Sequence, residues 1–157
     1  MKAKQNPVAK AEMLIRKPVA EVFEAFVDPA ITSKFWFTQG SGRLDTEQEI
    51  TWEWGMYNFS IQISVKEIEK NKKIRVEWPG YGTPTTVEWM FTPRADGTTF
   101  VSITNQGFSG EEDEVVKQAV ASTEGFTLVL AGLKAFLEHN IVLNLVADRF
   151  PDGVGEG

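Results

Sequence analysis

The stretch EITWEWGMYNFSIQISVKEIE, Glu49 to Glu69, constrains this chain more than any other. Ile50, Trp52 and Trp54 alternate with Thr51 and Glu53, and then Tyr57, Phe59, Ile61, Ile63 and Val65 alternate with Asn58, Ser60, Gln62 and Ser64. Successive side chains of a strand point to opposite faces of its sheet, so a period of two predicts half-buried strands. The same parity continues downstream. Ile74, Val76 and Trp78 share a face, as do Val87, Trp89 and Phe91, while the opposite parity carries Glu53, Arg75, Glu77 and Glu88. Trp52, Trp54, Trp78 and Trp89 are therefore expected on one covered side of a sheet, with charge on the other.

The connections suit a meander. Gly55-Met56, Asn71, PGYGTP and Asp96-Gly97 are turn signals, and links this short imply antiparallel neighbours. Strands are predicted near Arg43–Asp45 and over Glu49–Trp54, Tyr57–Glu69, Lys72–Trp78, Pro84–Thr92 and Thr98–Gln106. An earlier strand, KAEMLIR, places Ala11, Met13 and Ile15 on one face. Between them KPVAEVFEAFVDP carries Val19, Val22, Phe23, Phe26 and Val27 at helical spacing. Pro18 suits a first turn, and Asp28-Pro29 ends that helix because the residue before proline is pushed out of the α region. Pro29 then begins a second short helix through AITSKFWF.

SGEEDEVVKQAVASTEGFTLVLAGLKAFLEHN predicts one long helix. Ser109 and Glu112 have capping-box spacing, and acidic residues crowd the end where the helix dipole favours them. Gly125 and Gly132 lie inside it, each either a tolerated glycine or a point of close approach. Beyond Asn140, which can break the helix, Ile141, Leu143, Leu145 and Val146 are expected to pack back on the body. Helices on one face of an antiparallel sheet make an α+β domain. The reading is a single domain over residues 1–157, with a core of about 10–140 and an extension over 141–157.

Composition removes several functions. A net charge of −6 argues against nucleic acid, which needs a clustered positive face. The chain has no cysteine, so thiol chemistry and thiolate metal sites are excluded. No apolar stretch is expected to span a bilayer, and the N-terminus lacks the apolar core of a secretory signal, so a cytoplasmic location is expected. His139 reads as an exposed residue near a helix C-terminus, EEDE at 111–114 as a helix start, and GSG and GYG as loop glycines without phosphate-binding context. No metal and no cofactor are expected.

Three segments in order, KPVAEVFEAFVDPAITSKFWF, VEWMFTPRADGTTFVSIT and STEGFTLVLAGLKAFLEHN, resemble the START-like (SRPBCC) helix-grip superfamily. Within it the chain is similar to the Hsp90-ATPase-activator-homologue (AHSA1-like) group, from Glu12 to about Asn140. The resemblance implies a curved antiparallel sheet of about seven strands gripping a long C-terminal helix, with two short helices and an apolar cavity between. It also implies relatives that bind lipids or small molecules, aromatase/cyclases, and the C-terminal domain of Hsp90 activators. Phe126 stands where many relatives carry tryptophan.

From these lines a non-catalytic binder of a small hydrophobic molecule, lipid or aromatic, is expected. The site residues would be Phe26, Trp36, Trp52, Trp54, Phe59, Trp78, Trp89, Phe91, Phe126, Leu130 and Leu133, with access near the second helix and PGYGTP. Parity puts the strand carboxylates outside, leaving Tyr57, Tyr81, Thr104 and tryptophan N–H groups as polar handles. The rivals are a module that engages an Hsp90 homologue and an aromatase/cyclase-like enzyme, which would need an inward-facing acid or base.

Overall fold

The computed structural model describes residues 7–45, 48–55, 58–79 and 83–152. Seven strands form one sheet: β1 (Ala9–Ile15), β2 (Gln39–Gly40), β3 (Glu49–Trp54), β4 (Phe59–Glu69), β5 (Lys73–Trp78), β6 (Thr85–Pro93) and β7 (Thr99–Gln106). Their order is β1-β7-β6-β5-β4-β3-β2, with every neighbouring pair antiparallel. The first strand in sequence thus closes one edge by pairing with the last. A bulge between Val65 and Glu67 breaks the register of β4 with β5, a feature that bends a strand and increases its twist.

The parity set by the tryptophans holds. Ile50, Trp52, Trp54, Ile63, Ile74, Val76, Val87, Trp89, Phe91, Val101 and Ile103 are all buried. The opposite face is charged, with Lys73 between Glu67, Glu69 and Glu88 and with Arg75 on Glu67. These pairs are partly exposed to solvent, which screens them, so each contributes about 1 kcal/mol at most.

Helix α1 (Val19–Val27) follows Pro18 and buries Val22, Phe23, Ala25, Phe26 and Val27. Each fully covered Val or Phe contributes roughly 1.5–3 kcal/mol, which is why this two-turn helix stays docked. Asp28 ends α1 and caps α2 (Pro29–Thr32), its side chain accepting the Ala30 N–H at 3.0 Å. Helix α3 (Glu112–His139) runs about 42 Å and lies along β1. Lys134 Nζ reaches the Leu14 carbonyl at 2.8 Å, and Glu138 accepts the Arg16 N–H at 2.7 Å. Val115, Ala119, Phe126, Val129, Leu130 and Leu133 make its buried stripe. Asn140, at φ 55°, ends α3 in a left-handed turn, and α4 (Leu145–Arg149) follows.

Several expectations need correction. Arg43–Asp45 is a turn, and the short strand before β3 is Gln39–Gly40. The capping box does not form. Gly110, at φ 123°, turns the chain so that Glu111 becomes the N-cap, and the Ser109 hydroxyl instead meets that of Thr83 at 2.9 Å. Of the four residues expected to pack back, Leu145 and Val146 are half-buried, while Ile141 and Leu143, with Val142 between them, are exposed. Helix α3 is, by length and composition alone, long and apolar enough to cross a bilayer, with a mean hydropathy of 1.3 over eighteen residues. The core helix of a soluble protein passes the same test, and the apolar stripe of α3 is already spent on the sheet.

Candidate functional site

Trp36 sits just after α2, outside any strand or helix, and its ring occupies the middle of the space between sheet and α3. Trp52 of β3 lies 4.9 Å from it, Phe126 of α3 5.7 Å, Trp78 of β5 5.9 Å, Trp89 of β6 6.2 Å and Phe26 of α1 6.5 Å, between ring centroids. Trp78 is stacked on Trp36 and the other rings are tilted or edge-on to it, arrangements of favourable aromatic pairs, worth about 0.5–1.5 kcal/mol each beyond area burial. Phe37, beside Trp36 in sequence, stacks on Trp52 at 4.7 Å and meets Trp54 edge-on at 6.1 Å.

The structure thus gathers Phe26, Trp36, Trp52, Trp78, Trp89 and Phe126 into one cluster. Phe91 joins it through Phe26, and Leu130 and Leu133 lie fully buried on α3. Trp54 lies at its β3 edge. Phe59 does not belong with them. It stands opposite Trp54 on the same face, but at the turn end of the β3–β4 hairpin, and is 48% exposed. The hollow expected beneath the helix is filled by the rings themselves, Trp36 above all, whose position off the regular elements no parity argument could place.

Open space lies elsewhere. A cleft of about 710 Å3 is bounded by Ala20, Glu21, Phe23 and Glu24 of α1, Ile31 of α2, Arg43 and Asp45, Ile68, Lys70 and Asn71 at the β4–β5 turn, and Phe136 and Leu137 of α3. This is the opposite end of the sheet from PGYGTP, whose residues Gly80–Gly82 lie outside the described residues, as does Tyr57. Arg43 spans the rim. Its Nη1 meets Glu24 Oε2 at 2.6 Å and its Nη2 meets Asp45 Oδ2 at 2.8 Å. The hydrogen bond to Glu24 first, then that to Asp45, raises the guanidinium further above its already high value, and the Arg43 contact holds the Asp45 carboxyl below the usual range. Cleft and ring cluster are separated by one layer: Phe23 meets Phe91 at 5.3 Å, Phe91 meets Phe26 at 6.0 Å, and Phe26 meets Trp89 at 5.9 Å.

The polar handles also differ. Thr104 faces the outer side, opposite Lys10 and Glu88. Its neighbour Asn105 is the buried one: Nδ2 donates to Thr85 Oγ1 and to the Thr86 carbonyl, both at 3.0 Å, while Oδ1 accepts from Ser122 at 2.8 Å. Asn105 shares the parity of the buried Val101 and Ile103, a signal in the sequence by which it could have been found. Among the described residues, the buried polar side chains are threonines and this asparagine, together with the indole N–H of Trp89, which finds no acceptor. No cluster of three or more His, Asp or Glu able to hold a metal occurs among them.

An antiparallel sheet wrapped on one long C-terminal helix, with an aromatic interior, defines a helix-grip α+β domain. The family described as Activator of Hsp90 ATPase homolog 1-like protein matches residues 16–138, and the chain belongs to that family. Among solved structures, SSP2350 from Staphylococcus saprophyticus is similar at 29% identity and a TM-score of 0.75, covering 87% of this chain and 96% of its own. The Aha1 dimer from Colwellia psychrerythraea (16% identity, TM-score 0.69, 85% and 97% covered) shares the fold. So does DynU16 of the dynemicin biosynthetic locus (21% identity, TM-score 0.70, 86% of this chain and 48% of that one). No match was found among curated proteins.

Proposed function

We propose that this chain binds a small apolar or aromatic molecule without transforming it. The ligand enters at the cleft beside α1 and lodges against the ring cluster after the Phe23 and Phe26 side chains turn aside. The observation that carries this reading is the meeting of rings from α1, β3, β5, β6 and α3 around Trp36, a residue held by a connecting segment. Rigid rings give large contact area at low conformational cost, and the cleft volume lies within the range of about 300–1,000 Å3 usual for ligand sites. Acid–base chemistry would need a titratable group against the ligand. The titratable groups of the cleft, Glu21, Glu24, Arg43, Asp45 and Lys70, stand where the ligand enters. The ring cluster it lodges against offers instead apolar side chains and an indole N–H, which orient rather than react. Native mass spectrometry of freshly purified protein, with tryptophan fluorescence against a library of lipids and aromatics, tests the reading. An unliganded mass together with a silent library would defeat it.

The family description favours a second reading, engagement of an Hsp90-type chaperone. Stimulation of the host homologue's ATPase by the purified chain is its expected signature, and no effect at high concentration would end it.

A further inference from the structure

Trp89 is wholly inaccessible, yet its indole N–H has no hydrogen-bond partner. Such orphans are uncommon, because a buried donor left without an acceptor loses the hydrogen bond it made with water in the unfolded chain. Its register partners, Ile74 and Ile103, are apolar. Around its ring stand Phe26, Trp36 and Phe126, none of which carries an acceptor oxygen. Phe126 meets it edge to face, at 88° and 6.2 Å, and a ring face accepts an N–H only weakly. The nearest buried amide, Asn105, is two strand positions beyond Ile103 and has its own oxygen filled by Ser122. A core selected only for packing has an easy remedy in phenylalanine, which fills much of the same space without the donor.

We propose that Trp89 Nε1 is the specificity donor of the ligand site, and that the ligand is a ring-bearing apolar molecule with a carbonyl or ether oxygen. This rests on the binding reading above and narrows it. The apolar body replaces contacts among Phe26, Trp36 and Phe126, while the oxygen accepts the Trp89 N–H. An all-carbon guest would leave that donor as it is. Discrimination comes from one hydrogen bond to a buried group, which corresponds to about three- to tenfold in affinity.

Fluorene and 9-fluorenone form a matched pair of probes, alike in shape and differing at the ketone oxygen. In the full chain the ketone is expected to bind about three- to tenfold more tightly than the hydrocarbon. Five indole N–H signals are available to nitrogen-15 NMR, one per tryptophan, and Trp89→Phe identifies which belongs to Trp89. On the wild-type protein that signal should lie further downfield with fluorenone than with fluorene, whose effect is confined to ring currents. Trp89→Phe should bind both compounds alike, at the affinity of fluorene. Equal binding of the pair to wild-type protein with the Trp89 signal at the same place for both would overturn the inference while leaving the binding reading intact. Failure of both compounds, together with silence from the wider library, would remove the binding reading and this inference with it. Where the variant does not fold, nuclear Overhauser contacts of each indole N–H on the wild-type protein assign the Trp89 signal, and the measurement stands.

Discussion

Trp36 and Trp78 lie face to face, their ring centroids 5.9 Å apart and their planes 11° from parallel. One ring comes from the segment after α2 and the other from the end of β5, so the stack ties an irregular stretch to the sheet. Trp78 stays half-buried while Trp36 is 9% exposed, which makes Trp36 the inner member and the hub of the cluster.

Truncating that hub should leave a ring-shaped void. Trp36→Ala is expected to cost about 3–5 kcal/mol in denaturant unfolding, in the range for large aromatic deletions. A dry apolar void of this kind takes up small aromatic guests. Millimolar indole should therefore raise the melting temperature of Trp36→Ala by more than that of the wild type. Trp36→Leu, a milder truncation, should show a smaller loss and a smaller rescue. A variant as stable as wild type would contradict the placement of Trp36 at the centre.

The two glycines of α3 should answer alanine with opposite signs. A Cβ at Gly132 would lie 3.1 Å from Phe35 Cβ and 3.3 Å from its carbonyl oxygen, whereas one at Gly125 meets no described atom within 4 Å. Gly132→Ala is expected to destabilise by about 1–3 kcal/mol through overpacking. Gly125→Ala should stabilise by up to about 1 kcal/mol, the ordinary helix preference for alanine over glycine. Chemical denaturation of both variants decides it, and a gain at Gly132 would contradict the close approach of Phe35.

Glu138 should place an acid-sensitive contribution at the join of α3 and β1. Burial raises its pKa, but hydrogen bonds from Lys134 Nζ and the Arg16 N–H, each at 2.7 Å, outweigh it and bring the carboxyl below its ordinary 4.5. A folded value below the unfolded one stabilises above the unfolded value, and the contribution fades as pH falls through the folded one. Glu138→Gln should cost about 1–2 kcal/mol at pH 7, in line with hydrogen bonds to a charged group. Its stability should converge with that of the wild type in acid. A gap that persists at low pH would assign the loss to packing instead.

Blocking the cleft should slow ligand uptake without unfolding the protein. Ala20 is exposed on α1 and borders the cleft. Ala20→Trp is expected to change stability by less than about 0.5 kcal/mol. Stopped-flow association of 9-fluorenone should slow several-fold. An unchanged association rate would place the entrance elsewhere.

Six of the seven strands, the two joined helices and the long α3 were readable because each follows from local rules. Period two set the strand faces, Asp28-Pro29 divided the helices, and three- and four-residue steps marked Phe126, Leu130 and Leu133 on α3. The same steps picked Val116 and Val120, which are exposed, in place of the buried Val115 and Ala119. Phe26, Trp52, Trp89, Phe91, Phe126, Leu130 and Leu133 could be placed inside on those grounds. Phe59 obeys the same parity and is exposed all the same, because parity gives a face and says nothing of whether that face is covered at the end of a hairpin. Phe35, Trp36 and Phe37 lie outside any periodic element, so nothing in FWF foretold that one ring would plug the interior while its neighbours packed on Gly132 and Trp52. The cleft beside Arg43 was invisible for the same reason, since it is assembled from four separate parts of the chain.

The sequence by itself determined the longer strands, the helices α1 and α3, their order and the inward side of the sheet, because backbone geometry converts residue spacing directly into direction. Only the tertiary structure decided how much room remained on that side. Volume depends on how rings from distant segments fit together, and there they close around Trp36, leave the Trp89 N–H without an acceptor and open a cleft at α1.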